Sequence, residues 1–126
     1  MKIDKGIIEI FIQSCLEQLE NIESNVLALE KSNAENGAGG AGTSGATRES
    51  EHLLSAYRAA HSIKADAGSL GFTPIVDLAH ELEDVLQAVR DGVLSVDQHC
   101  VDLLLKGFDT LRAMVLDSEN SDQQDV

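Results

Sequence analysis

The sequence predicts an all-α protein, an antiparallel up-down-up-down bundle of four helices, on three observations. Of 126 residues 43% are hydrophobic but only 3% aromatic, so the apolar content is Leu, Ile, Val and Ala. These residues recur at steps of three and four, the period of a helix with one buried face. The single proline and most of the glycines fall where the periodic segments stop and start. At this length one domain with one core is expected.

The first helix is expected from about Lys5 to Lys31, because Ile8, Ile12, Cys15, Leu19, Ile22, Val26 and Leu29 keep one stripe along it. Glu9, Glu17, Glu20 and Glu23 take its wetter faces. The pattern then lapses, and residues 33–47 read as a flexible glycine-rich loop, since Gly37, Gly39, Gly40, Gly42 and Gly45 would lose more backbone entropy than burial could offset. Gly37, Gly39 and Gly42 match a GxGxxG string, but a helix precedes them where a dinucleotide site needs a strand. A second helix is expected from about Glu49 to Leu70, with apolar positions Ala56, Ala60, Ile63, Ala67 and Leu70 and with Gly71 closing it in a left-handed conformation.

Thr73 as N-cap and Pro74 as first helical residue would open a third helix, whose stripe is Ile75, Leu78, Ala79, Leu82, Val85, Leu86 and Val89 and whose end is Gly92. Ser95 and Gln98 have the spacing of a capping box for a fourth helix, with Val101, Leu104, Phe108, Leu111 and Val115 inward. The bundle is therefore expected over residues 1–116. The polar run 117–126 has nothing to bury and reads as a disordered tail or the start of an interdomain linker.

A formal charge of −13 opposes binding to nucleic acid or to an anionic membrane, both of which attract Lys and Arg. No apolar run is long enough to span a bilayer, and the start Met1-Lys2-Ile3-Asp4-Lys5 lacks the apolar core of a signal peptide. Cys15 and Cys100 both fall on apolar stripes and read as buried reduced thiols, which fits a cytoplasmic setting.

The chemistry points to Ala59-Ala60-His61-Ser62-Ile63-Lys64-Ala65-Asp66-Ala67-Gly68. On a helix His61, Lys64, Ala65 and Gly68 share one face, apart from the apolar stripe. An imidazole and a cation then stand beside almost no side-chain bulk, accessible to another protein. On the third helix His80, Glu83, Asp84 and Gln87 share a face. The tight turn between the two helices should bring His80 and Glu83 within reach of His61.

A carboxylate accepting the N–H of one ring nitrogen fixes the tautomer and raises the basicity of the other, and Glu83 is the candidate for that role. Lys64 could contact phosphoryl oxygens as a point charge. His52 and His99 lack convergent partners and read as structural or surface residues. Two other readings compete: a metal-binding bundle using His61, His80 and Glu83, which Lys64 would oppose, and an inert helical adaptor.

The segment Ala59-Ala60-His61-Ser62-Ile63-Lys64, followed by Ala67-Gly68-Ser69-Leu70-Gly71-Phe72, resembles the phosphorylation motif of histidine phosphotransfer (HPt) domains. It is most similar to the N-terminal domain of CheA-type chemotaxis kinases, with the approximate pattern AAHSIKGGAGxxGF. The opening Ile3-Asp4 and the run His80-Glu81-Leu82-Glu83 extend the likeness across most of residues 1 to 116.

The resemblance implies that His61 accepts a phosphoryl group from a kinase ATP-binding domain, in the same or a partner chain, and passes it to an aspartate on a response regulator. It makes Lys64, His80 and Glu83 the supporting residues and Ala65 and Gly68 part of the docking surface. Ala65 stands where the family usually has glycine. ATP and Mg²⁺ would belong to the partner domains, since the sequence has no nucleotide-binding motif, and this chain would hold no cofactor. Two readings stand, a free phosphotransfer protein or a fragment of a protein histidine kinase; the polar tail and the CheA-like opening favour the fragment, which would be monomeric and stop near where a short fifth helix could begin.

Overall fold

The computed structural model describes the backbone of residues 4–36 and 43–124 and the side chains of residues 4–31 and 51–118. Among the described residues four helices follow one another: α1 (Lys5–Asn36), α2 (Thr43–Leu70), α3 (Thr73–Arg90) and α4 (Gln98–Gln124). Among the described residues α1 packs against α2 and α4, and α3 packs against the same two, with no diagonal seam. Cross-helix pairs fix the direction. Asn25 reaches Ser55, Glu30 meets Gln98 and Glu83 meets His61, so neighbouring helices run antiparallel as the sequence predicts.

The core is the expected set of stripes with adjustments. Ile8, Cys15, Leu19, Ile22, Val26 and Leu29 of α1 are buried, but Phe11 turns inward in preference to Ile12, which is half-buried. Phe11 does so because its ring meets Phe72 at the α2–α3 turn, with centroids 5.2 Å apart. α2 adds Leu53, Ala56, Ala59, Ala60, Ile63 and Ala67. Its four alanines allow close approach by α1 and α3, since interaxial distance follows side-chain size at the contact. Gly107 does the same on α4, where a β-carbon would stand 2.5 Å from Leu82 Cδ2.

Both predicted glycine closures are present. Gly71 has φ +81° and Gly92 φ +79°. After each, the next residue's N–H returns to the helix, from Phe72 to Ala67 O at 2.9 Å and from Val93 to Ala88 O at 2.8 Å, which satisfies carbonyls the helix leaves open.

Two capping expectations are corrected. Phe72, not Thr73, precedes the first residue of α3, and Pro74 is the second helical residue. The α2 closure leaves no separate linker, and the Phe72 carbonyl already accepts from Ile75 and Val76 at 3.1 Å each. On α4 the cap is Asp97, whose Oδ1 accepts from the Cys100 N–H at 2.8 Å. Gln98, drafted for the capping box, instead donates to Glu30 at 2.9 Å and Asp102 at 2.8 Å.

The helices are also longer than the apolar pattern. α1 runs past Lys31 to Asn36 and α2 begins at Thr43, so part of the loop expected over 33–47 is helical; residues 37–42 lie outside the described residues. α4 continues to Gln124 through most of the run expected as a disordered tail, and Ser118 is buried there, its Oγ donating to Val115 O at 2.6 Å. Periodicity marks where a helix is buried, whereas propagation beyond that needs only one backbone bond per residue fixed. Residues 125–126 lie outside the described residues.

Cys15 and Cys100 are free and buried, as expected. Burial, with a smaller contribution from Asp66, pushes the Cys15 thiol up to about 12, and burial also raises Cys100. Neither is a nucleophile near neutral pH. Among the described residues no helix is long and apolar enough to cross a membrane.

Candidate functional site

The site lies on the α2–α3 seam, between helices that a two-residue turn joins. The apolar stripe of α2 faces the core through Ala56, Ala60 and Ile63, which rotates His61 to the flank next to α3, with its side chain 58% exposed. On α3, Glu83 lies between Ala79 and Leu86 on the inward stripe and is only 3% exposed. The sequence places Glu83 beside the stripe as the partner of His61, and the structure puts it within the stripe. The signal for burial was its position, one turn beyond Ala79 and i−3 from Leu86.

A buried carboxylate is costly unless paired. Glu83 Oε2 accepts from Lys64 Nζ at 3.2 Å, and Oε1 lies 3.0 Å from the same ammonium without a hydrogen bond of its own. His61 Nδ1 is 3.4 Å from Glu83 Oε2. A carboxylate oxygen can only accept, so Nδ1 carries the proton and Nε2 keeps its lone pair. The buried charge on α3 thus orients an exposed base on α2, and Lys64 holds that charge in place.

His61, Lys64 and Glu83 come together as the spacing predicts, and His80 does not join them. Its Nε2 turns to Asp84 one helical turn on, at 3.8 Å, with both side chains well exposed. Only one of two groups at i and i+3 can point inward here, and the inward position belongs to Glu83. The metal reading therefore loses a ligand, and among the described residues no group of three His, Cys, Asp or Glu side chains could hold an ion.

Ala65 and Gly68 are exposed on the same flank. A β-carbon at Gly68 would meet nothing nearer than Val76 Cγ2 at 3.9 Å, so packing does not demand glycine there.

Two side chains escaped the sequence reading. Tyr57, one turn before His61, lies parallel to the imidazole, the planes 10° apart and the centroids 6.4 Å apart. The i, i+4 spacing was the available signal. His52 does have a partner: its Nδ1 is 2.8 Å from Asn25 Oδ1 on α1. No spacing within one helix could have supplied that pair.

The site is thus an exposed imidazole on the flank of a helical bundle, oriented by a buried carboxylate. The Hpt domain family model matches residues 6–117, and the chain belongs to that family. Among curated proteins it is similar to the chemotaxis protein CheA of Rhizobium meliloti, 34% identical over 103 residues that cover 82% of this chain and 12% of that protein. CheA of Listeria monocytogenes is 30% identical over 118 residues, 94% of this chain and 17% of that protein. The chain thus spans less than a fifth of these relatives' length. Among solved structures it is similar to the phosphorylated P1 domain of CheA3 in complex with CheY6 from R. sphaeroides, at a TM-score of 0.70 and 28% identity, covering 92% of this chain and 80% of that one.

Proposed function

We propose that this Hpt domain is a phosphoryl carrier in a chemotaxis-type relay, with His61 as the carrying residue. The observation that carries the reading is His61 Nδ1 turned to the buried Glu83, which leaves Nε2 outward as the nucleophile. In the first step the Nε2 lone pair attacks the γ-phosphorus of ATP held with Mg²⁺ by a kinase domain, the β–γ bridging bond breaks and ADP leaves. The ring gains positive charge, which Glu83 stabilises through the Nδ1 proton. In the second step an aspartate oxygen of a response regulator attacks phosphorus, the N–P bond breaks and the electron pair returns to Nε2.

Lys64 supports Glu83 in the unphosphorylated protein, and its ammonium, which shares that carboxylate with His61, meets phosphoryl oxygens after transfer. His80 has at most an outer role. Ala65 and Gly68 keep the approach to Nε2 clear for two different partners. The chain supplies a phosphorylation site and not a complete activity. Nucleotide and metal belong to the partner domain, and the parent chain is a cytoplasmic protein histidine kinase. That the similar P1 domain of CheA3 is in complex with CheY6 supports a response regulator as acceptor.

The test is incubation with a CheA kinase domain and γ-labelled ATP, followed by a receiver domain. Acid-labile, alkali-stable label is expected on the wild type, to move to the receiver and to be absent from His61→Gln. Acid-stable label, or label retained by that variant, would refute the reading.

A further inference from the structure

An imidazole on a helix surface has a broad, roughly two-fold χ2 preference, so something besides the side chain itself must fix the ring plane. His61 is 58% exposed, and its bond to Glu83 spans 3.4 Å, longer than the usual range for a firm N–H···O bond. That contact alone is a weak restraint on the plane. Tyr57 provides a second. Its ring is half-buried and packed against the core, hence fixed, and the imidazole lies within 10° of parallel to it at 6.4 Å. The separation is within the range of offset parallel aromatic pairs.

We infer that Tyr57 is a positioning residue for His61, its ring setting the plane of the imidazole while Glu83 selects which edge of that plane faces inward. The inference rests on the carrier reading and deepens it. A plane held parallel to Tyr57 leaves two orientations related by a half-turn about χ2. One presents Nδ1 to Glu83, and the other presents Cδ2, which donates no comparable hydrogen bond. The aromatic ring removes the intermediate orientations and the carboxylate decides between the two that remain. Nε2 then points in one direction, and in-line attack on phosphorus depends on that direction.

The experiment uses phosphoramidate, a phosphoryl donor that needs no partner protein. Nε2 attacks phosphorus, the donor's N–P bond breaks, ammonia leaves with the electron pair, and the Nδ1 proton stays directed at Glu83. Initial rates are compared for wild type, Tyr57→Phe, Tyr57→Leu and Tyr57→Ala, with circular dichroism confirming helicity. NMR of the His61 ring in the unphosphorylated proteins reports tautomer and ring order.

Tyr57→Ala is expected to slow phosphorylation by about 3- to 10-fold, an orientational loss. The Nδ1–H tautomer should persist while ring order falls, Tyr57→Phe should match wild type, and Tyr57→Leu should lie between. A wild-type rate in Tyr57→Ala would overturn the inference. So would a slow rate with wild-type ring order, or a Tyr57→Phe variant as slow as Tyr57→Ala, which would shift the effect to the hydroxyl. Failure of the wild type to take phosphate at His61 would defeat the carrier reading instead, and ring order would still decide the role of Tyr57.

Discussion

His52 and His61 stand on opposite flanks of α2, one against α1 and the other against α3. Asn25 on α1 donates its Nδ2 to Asn21 O at 2.7 Å, to Asn21 Oδ1 at 2.8 Å and to Ser55 Oγ at 3.1 Å. Its Oδ1 is then the atom left to accept from His52 Nδ1, at 2.8 Å. Both imidazoles therefore carry the proton on Nδ1 and keep Nε2 free, and His52 is held by the shorter bond.

What separates them is the charge of the acceptor. A neutral amide fixes a tautomer but gives little to a ring that becomes cationic, whereas a buried carboxylate stabilises the cation in proportion to its isolation from water. His52 is a staple between helices. His61 is a base with a counter-charge, and a tight hydrogen bond is not what equips a histidine for group transfer.

Exchanging the histidines one at a time breaks the comparison most sharply. His61→Gln should abolish acid-labile phosphorylation, while His52→Gln should leave the initial rate within about twofold, because distant sites act nearly independently. Comparable losses in both would erase the distinction.

Making the His61 side resemble the His52 side is the next step. Glu83→Gln keeps an acceptor near Nδ1 and removes the charge. The rate should fall by about 10- to 100-fold, because the buried counter-charge that stabilises the cationic ring is lost. The helix content should be unchanged, and a wild-type rate would mean that tautomer alone suffices.

Lys64→Met tests the clamp behind the carboxylate. Glu83 is then buried without its partner, and thermal unfolding should register a loss of about 1–3 kcal/mol, reduced from the fully buried case because Lys64 is 25% exposed. The pairing explains why the same change on a surface pair such as His80 with Asp84 should barely register.

The smallest effect separates stability from access on the docking flank. Gly68→Ala should stabilise the fold by about 0.5–1 kcal/mol, since the site has room for a β-carbon and a helix-interior glycine is entropically unfavourable. If phosphotransfer to a receiver slows while stability rises, glycine serves the partner and not the fold.

Much of this was legible in the chain. The three-and-four spacing of Ile8 through Leu29 and of Val101 through Val115 declares helices and their inner faces, because burial on a helix must recur with its turn. Gly71 and Gly92 announce left-handed closures, because few other residues adopt that conformation cheaply. His61 with Lys64 one turn away, and Glu83 as its partner, also follow from spacing and a short turn. Phe11 in place of Ile12, Asp97 in place of Ser95 and the outward turn of His80 did not, because each depends on which neighbour from another helix is present to receive the side chain.

The sequence by itself determined four helices, their order and the flank on which His61 stands, since periodicity and capping are properties of a single strand of chain. Tertiary structure alone decided that Glu83 is buried beneath His61 and neutralised by Lys64, that Tyr57 lies parallel to the imidazole, and that His52 faces an amide. The electrostatic worth of a charge is set by how far its surroundings exclude water and by what stands opposite, and only packed helices define either.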